Sequence, residues 1–195
     1  MILAAAVIVG PAASLLRHRR RTLSRIASIP LRSAWLVLLA LALQLPLLRA
    51  APASIQDLRV QQALFLLSYP LLLVFVWRSR RLGAILIVGL GIACNLVVVV
   101  ANGGWMPISP EALTRINPGS VVEQWPTETH YNHSKDIILA RKDTRLRALS
   151  DALIAPPPFP WPTAFSVGDL VIAIGVVFLL LAPEWMVERR NGREP

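Results

Sequence analysis

The amino-acid sequence reads as an all-α integral membrane protein of about five transmembrane helices, with a partly helical extracytoplasmic segment between the fourth and the fifth. Its 195 residues are 55% apolar and only 16% charged, where an average soluble domain has about 25% charged residues. The apolar residues gather into long uncharged runs, which excludes a single soluble core. The charge is gathered as well. Of 18 arginines, twelve fall in three short clusters that border those runs.

The runs are 2–16, 34–48, 60–77, 82–101 and 166–182. The first is short, about 22 Å of helix against a hydrocarbon core of about 30 Å, so it crosses by arginine snorkelling or local thinning. Its positive charges follow the apolar stretch rather than precede it, the reverse of a signal peptide, and it is read as a retained helix. The third run holds Ser68, Tyr69 and Pro70 at its middle. A proline there removes a backbone hydrogen bond and kinks the helix, and Ser68 partly repairs the loss. The fourth presents Gly89, Gly91, Ala93 and Asn95, small residues that let helices approach closely. Asn95 is expected to hydrogen-bond a neighbouring helix, with a cavity-lining role as the alternative. The fifth opens on Ser166-x-x-Asp169, the spacing of a capping box. No span carries a central charge, which argues against an ion pathway or proton relay. Cys94, the single cysteine, rules out an intrachain disulfide and a cysteine metal cluster.

The arginine clusters set the orientation. They comprise Arg17, Arg19, Arg20, Arg21, Arg25 and Arg32; then Arg78, Arg80 and Arg81; then Arg189, Arg190 and Arg193. Five spans with the N-terminus outside put all three clusters on the cytoplasmic side and leave 49–59 and 102–165 outside, as the positive-inside rule requires. The net charge of +9 is therefore a topology signal. Membrane lipids with anionic head groups are its expected counter-charge, and nucleic acid is not an expected partner. The chain divides into a four-helix membrane region 1–101, an outer segment 102–165, and a last helix with a basic cytoplasmic tail, 166–195.

In the outer segment, Asn102-Gly103-Gly104-Trp105 reads as a turn with an interfacial aromatic. Ser109-Pro110-Glu111 reads as the start of a short helix near 110–116, stopped by Asn117-Pro118-Gly119. Leu146, Leu149 and Leu153 recur at helical intervals, so an amphipathic helix lying on the membrane surface is expected near 144–154. The run Pro156–Pro162 is expected to be stiff polyproline leading back to the last span. His130, His133 and Asp136 place three ligand-capable groups in seven residues, but without a helix to fix them they are weak metal candidates and no metal or other cofactor is expected. There is no phosphate loop, nucleophile elbow or cysteine–histidine pair.

Asn102-Gly103-Gly104 followed by Met106-Pro107, then Thr144-Arg145-Leu146 with Leu149 and Asp151, then Ser166-x-Gly168-Asp169 form an ordered set. In these motifs the chain resembles the bacterial membrane family of domain of unknown function 5317, nearly end to end. The resemblance implies a bacterial inner-membrane protein and no particular reaction. The leading expectation is a non-catalytic scaffold or accessory subunit working with other membrane protein subunits. Binding of a lipid or small ligand at the outer interface, through Asn102, Asp151, Ser166 and Asp169 returned to one membrane depth, is the first alternative. A metal-assisted hydrolase using His130, His133 and Asp136 is the second. Asp151 and Asp169 are expected to be neutralised by Arg145 or Arg147 and by the N-terminus of the last helix.

Overall fold

The computed structural model describes residues 31–47, 57–131, 134–155 and 162–181. The expected first span 2–16, most of the polyproline run, His133 and the C-terminal arginines lie outside the described residues. Among the described residues there are five α-helices: α1 Trp35–Gln44, α2 Leu58–Arg78, α3 Gly83–Ala101, α4 Pro110–Ile116 and α5 Val167–Leu181. Two of them, α2 with 21 residues and α3 with 19, are long and apolar enough to cross a membrane.

The starts of α2 and α4 have a local cause. The carboxylate of Asp57 accepts from the Arg59 amide at 2.8 Å and caps α2. Ser109 accepts from the Ala112 amide at 3.2 Å and caps α4, with Pro110 at the first helical position. Pro70 sits inside α2, and beside it Ser68 donates to the Phe65 carbonyl at 2.6 Å while accepting from Gln44 Nε2 of α1 at 2.8 Å.

The helices bury Phe65, Tyr69, Phe75, Ile85, Val88, Ile92, Val98 and Ile172 in one apolar core, which Trp105 and Met106 close at the C-terminal end of α3. Phe65 is the hinge of that closure, edge-on to Tyr69 and stacked on Trp105 with centroids 5.4 and 6.3 Å away. Helix α5 packs antiparallel to α3 through glycines. A Cβ on Gly91 would lie 2.5 Å from the Gly168 carbonyl oxygen and 2.8 Å from the Ile172 amide nitrogen, so the backbones touch where no side chain fits.

The segment 102–165 is not wholly helical among its described residues. Strand β1 (Met106–Ile108) pairs in parallel with β2 (Asp136–Ile138), and β3 (Leu153–Ala155) pairs antiparallel with β4 (Thr163–Phe165). A second, small core of Ile108, Ala112, Leu113 and Ile138 lies between the first pair and α4. The all-α expectation thus becomes a mostly helical fold with two small sheets. The amphipathic helix expected near 144–154 does not form. Leu146 takes a left-handed φ of 53°, a single 3₁₀ turn covers Arg147–Leu149, and the Asp151 amide donates to the Pro107 carbonyl at 3.3 Å. Pairing of β3 with β4 then satisfies the backbone that a helix would have satisfied internally.

Candidate functional site

Ionisable and amide side chains converge where the outer segment meets α3 and α5. Asp169 lies in the first turn of α5, and its backbone amide donates to Ser166 Oγ at 2.9 Å while its carboxylate accepts from the Ser166 amide at 3.2 Å. This is the reciprocal pair that the spacing anticipates. The same two side chains hold α3. Asn95 Nδ2 donates to Asp169 at 2.9 Å, and Ser166 Oγ donates to Asn95 Oδ1 at 2.8 Å. Asn95 therefore bridges two helices, and Ser166 is fully buried between them.

A second group adjoins the first. The Lys135 ammonium donates to Asp136 and to Asp151, each at 3.0 Å. Asp151 is 3% exposed, and its other oxygen, Oδ1, has no hydrogen-bond partner among the described residues. Burial pushes the Asp151 carboxyl up to about 7; Lys135 pulls against this, and Asp136 and Asp169 add to it. Burial also works against the charge on Lys135, but the carboxylates of Asp136, Asp151 and Asp169 outweigh it and hold the ammonium well above its ordinary value. The counter-charge of Asp151 is thus Lys135, not the expected Arg145 or Arg147. The compact ammonium on a flexible stem can enter a crevice where two carboxylates face inward, while a planar guanidinium needs a wider seat.

Asn102 belongs to a different contact. Its Nδ2 donates to the carbonyls of Val98 and Arg145, and its Oδ1 accepts from the Arg145 amide at 2.9 Å. The expectation that Asn102, Asp151, Ser166 and Asp169 share one depth needs correction. Asp169 pairs with Asn95, seven residues and about 10 Å of helix below Asn102. The reason is the Gly91–Gly168 contact, which fixes the register of α5 on α3 and sinks its first turn into the bundle.

The histidine array divides. His130 packs edge-on against Trp105, centroids 4.4 Å apart, and burial lowers its pKa with Asp136 opposing. The Asp136 carboxylate is taken by Lys135 and by Ser134 Oγ at 3.1 Å. Among the described residues no three His, Cys, Asp or Glu side chains are grouped to hold a metal ion. Sequence reading missed Lys135. It is one of only two lysines in a chain of 18 arginines, and that departure was the available signal.

No curated protein and no solved structure matches the chain. The model of the family described as "Family of unknown function (DUF5317)" matches residues 28–181, and with that share of its length covered the chain belongs to this family.

Proposed function

We propose that the chain is a multi-pass protein of the bacterial inner membrane, with its N-terminus outside and its C-terminus cytoplasmic, and that it serves as a non-catalytic scaffold or accessory subunit of a membrane assembly. The observation that carries this reading is how the ionisable groups are used. Lys135 is engaged by Asp136 and Asp151 within residues 102–165, and Asp169 by Asn95 and Ser166 between α3 and α5, so both sets of groups are used in internal ties that hold the fold together. A catalytic acid or base needs an open side toward substrate. The outward faces of α2 and α3 are apolar, with Leu67, Trp77, Leu90 and Val100 exposed, as lipid or a partner helix requires. In this orientation α5 begins below the outer boundary, where its lead-in strand β4 is half-buried and has its backbone paired with β3, the condition for non-helical backbone at membrane depth.

Binding of a lipid or small ligand at the outer interface is the second reading. It is favoured by the buried, unpartnered Oδ1 of Asp151. Native mass spectrometry of the chain extracted in a mild detergent separates the two. The scaffold reading expects a further membrane subunit in fixed stoichiometry. Isolated chain that retains a small ligand, and loses it in Asp151→Asn, favours the second reading and overturns the first.

A further inference from the structure

The turn between α2 and α3 lies at the end of the described residues opposite the polar cluster, and it brings arginines together with no counter-charge among the described residues. Ser79 Oγ donates to the Arg32 carbonyl at 3.1 Å, and Arg78 Nη1 donates to Ser33 Oγ at 2.9 Å, so the residues that lead into α1 are tied to this turn. Arg80 lies 4.0 Å from the centroid of the Trp77 ring and donates to the Trp77 carbonyl at 3.2 Å. Stacking engages the face of the guanidinium and leaves further N–H groups on its edge free to donate. Among the described residues the guanidinium groups of Arg32 and Arg81 have no hydrogen-bond or ion-pair partner.

The chain offers this turn no excess of negative charge. Residues 1–101 contain a single acid, Asp57, and it caps the far end of the 21-residue α2, about 31 Å away. The tail 182–195 carries three glutamates and three arginines, for no net charge. Arg78, Arg80 and Arg81 fall within four residues of one another and the Arg32 backbone is tied to Ser79 between them, and like charges brought together repel more strongly as water is displaced. Among the described residues no acid compensates these arginines, and an anion from outside the chain would do so.

A second feature indicates what kind of anion. Val60, Leu67, Val74 and Trp77 follow one another at spacings of seven, seven and three residues, which puts them on one face of α2. That face points outward, with Leu67 53%, Val74 45% and Trp77 67% exposed. The stripe ends at Trp77, under Arg80. An anion with a long apolar tail meets both features, with its phosphate among the arginines and its chain along the stripe.

We propose that the 79–82 turn is a binding site for the phosphodiester head group of an anionic phospholipid, held by Arg32, Arg80 and Arg81 and seated by Trp77. Guanidinium suits this role because its fixed fork of donors matches two phosphate oxygens at once. The inference rests on the membrane-spanning reading above.

The test uses the full chain in a mild neutral detergent, with thermal unfolding followed as a short-chain phosphatidylglycerol is titrated in. A saturable rise in the unfolding midpoint is expected, with a much smaller rise for phosphatidylcholine of the same chain length and none for inorganic phosphate. Arg80→Gln with Arg81→Gln weakens the apparent affinity roughly thirtyfold. Arg59→Gln, exposed at the other end of the same helix, leaves it unchanged. Equal responses to the two lipids, or unchanged affinity in the double variant, overturn the proposal. Inorganic phosphate reproducing the lipid response overturns the lipid as the source and leaves a free-anion site. Should the double variant fail to fold, the wild-type titration at low and high salt decides, because a response insensitive to salt contradicts charge-based binding. Carbonate-washed membranes keep the two readings apart. A chain retained there without a preference for phosphatidylglycerol sinks the lipid site alone, whereas a chain washed off sinks the membrane-spanning reading.

Discussion

Gly91→Val is expected to destabilise the protein by about 3 kcal/mol or more, the upper range for forcing atoms into a filled interior. The new Cβ would lie 2.5 Å from the Gly168 carbonyl oxygen and 2.8 Å from the Ile172 amide nitrogen. Both are backbone atoms of α5, so no rotamer change relieves the clash and the whole helix has to move. That movement pulls Asn95 away from Ser166 and Asp169, and two buried polar groups and the half-buried Asp169 lose partners together. Gly91→Ala should show the same sign at about 1–2 kcal/mol, because the helix-propensity gain of about 1 kcal/mol offsets part of the clash. Gly83→Ala is the control. A Cβ there meets nothing within 4 Å, and the change should be neutral or stabilising. Unfolding of the three variants in one detergent gives the comparison, and a Gly91→Val protein as stable as wild type would refute the close helix contact.

Lys135→Met should cost about 2–4 kcal/mol at neutral pH, since it leaves Asp151 and Asp136 facing each other without a cation. The direction of the pH dependence follows from the shift in Asp151. Its native pKa stands at about 7 against an ordinary 3.8, so the native state binds this proton more tightly than the unfolded chain. Its contribution to stability is fully present below about pH 4 and is lost as the pH rises toward 7. Without Lys135, which opposes the shift, the loss is larger and extends to higher pH. The deficit of Lys135→Met relative to wild type is therefore expected to grow from about pH 5 to about pH 8. Adding Asp151→Asn should return most of the stability, because a neutral pair needs no counter-charge. Denaturant midpoints across that pH range measure both effects. A flat profile, or no rescue by the second substitution, would show that Lys135 does not balance the charge of Asp151 in the folded chain.

The parts of this fold that were legible in the sequence are those whose cause is local. The apolar runs behind α2 and α3, the Ser109-Pro110 start of α4 and the Ser166/Asp169 cap depend on residues within a turn or two of one another. Leu146, Leu149 and Leu153 also have helical spacing, yet the left-handed backbone at Leu146 and the bond from Asp151 to Pro107 override it. Those are tertiary effects that periodicity does not contain. The candidate site divides in the same way. Asp151, Ser166 and Asp169 were readable as polar groups near the outer interface. Their partners were not, because Lys135 is 16 residues from Asp151 and Asn95 is 74 from Asp169. The depth of α5 was hidden as well, since it is set by two glycines, 91 and 168, whose contact only the folded chain defines.

Cysteine labelling tests the central claim, a multi-pass chain whose segment 102–165 packs on the bundle through Trp105 and Met106 from one side of the membrane. With Cys94 replaced by alanine, single cysteines go in at Ile55, Arg81, Val121 and Arg190. They are challenged with a membrane-impermeant maleimide in intact cells and again after permeabilisation. The account predicts labelling at 55 and 121 in intact cells, and at 81 and 190 only once the membrane is opened. Labelling of 81 or 190 in intact cells, or protection of 121, would contradict it.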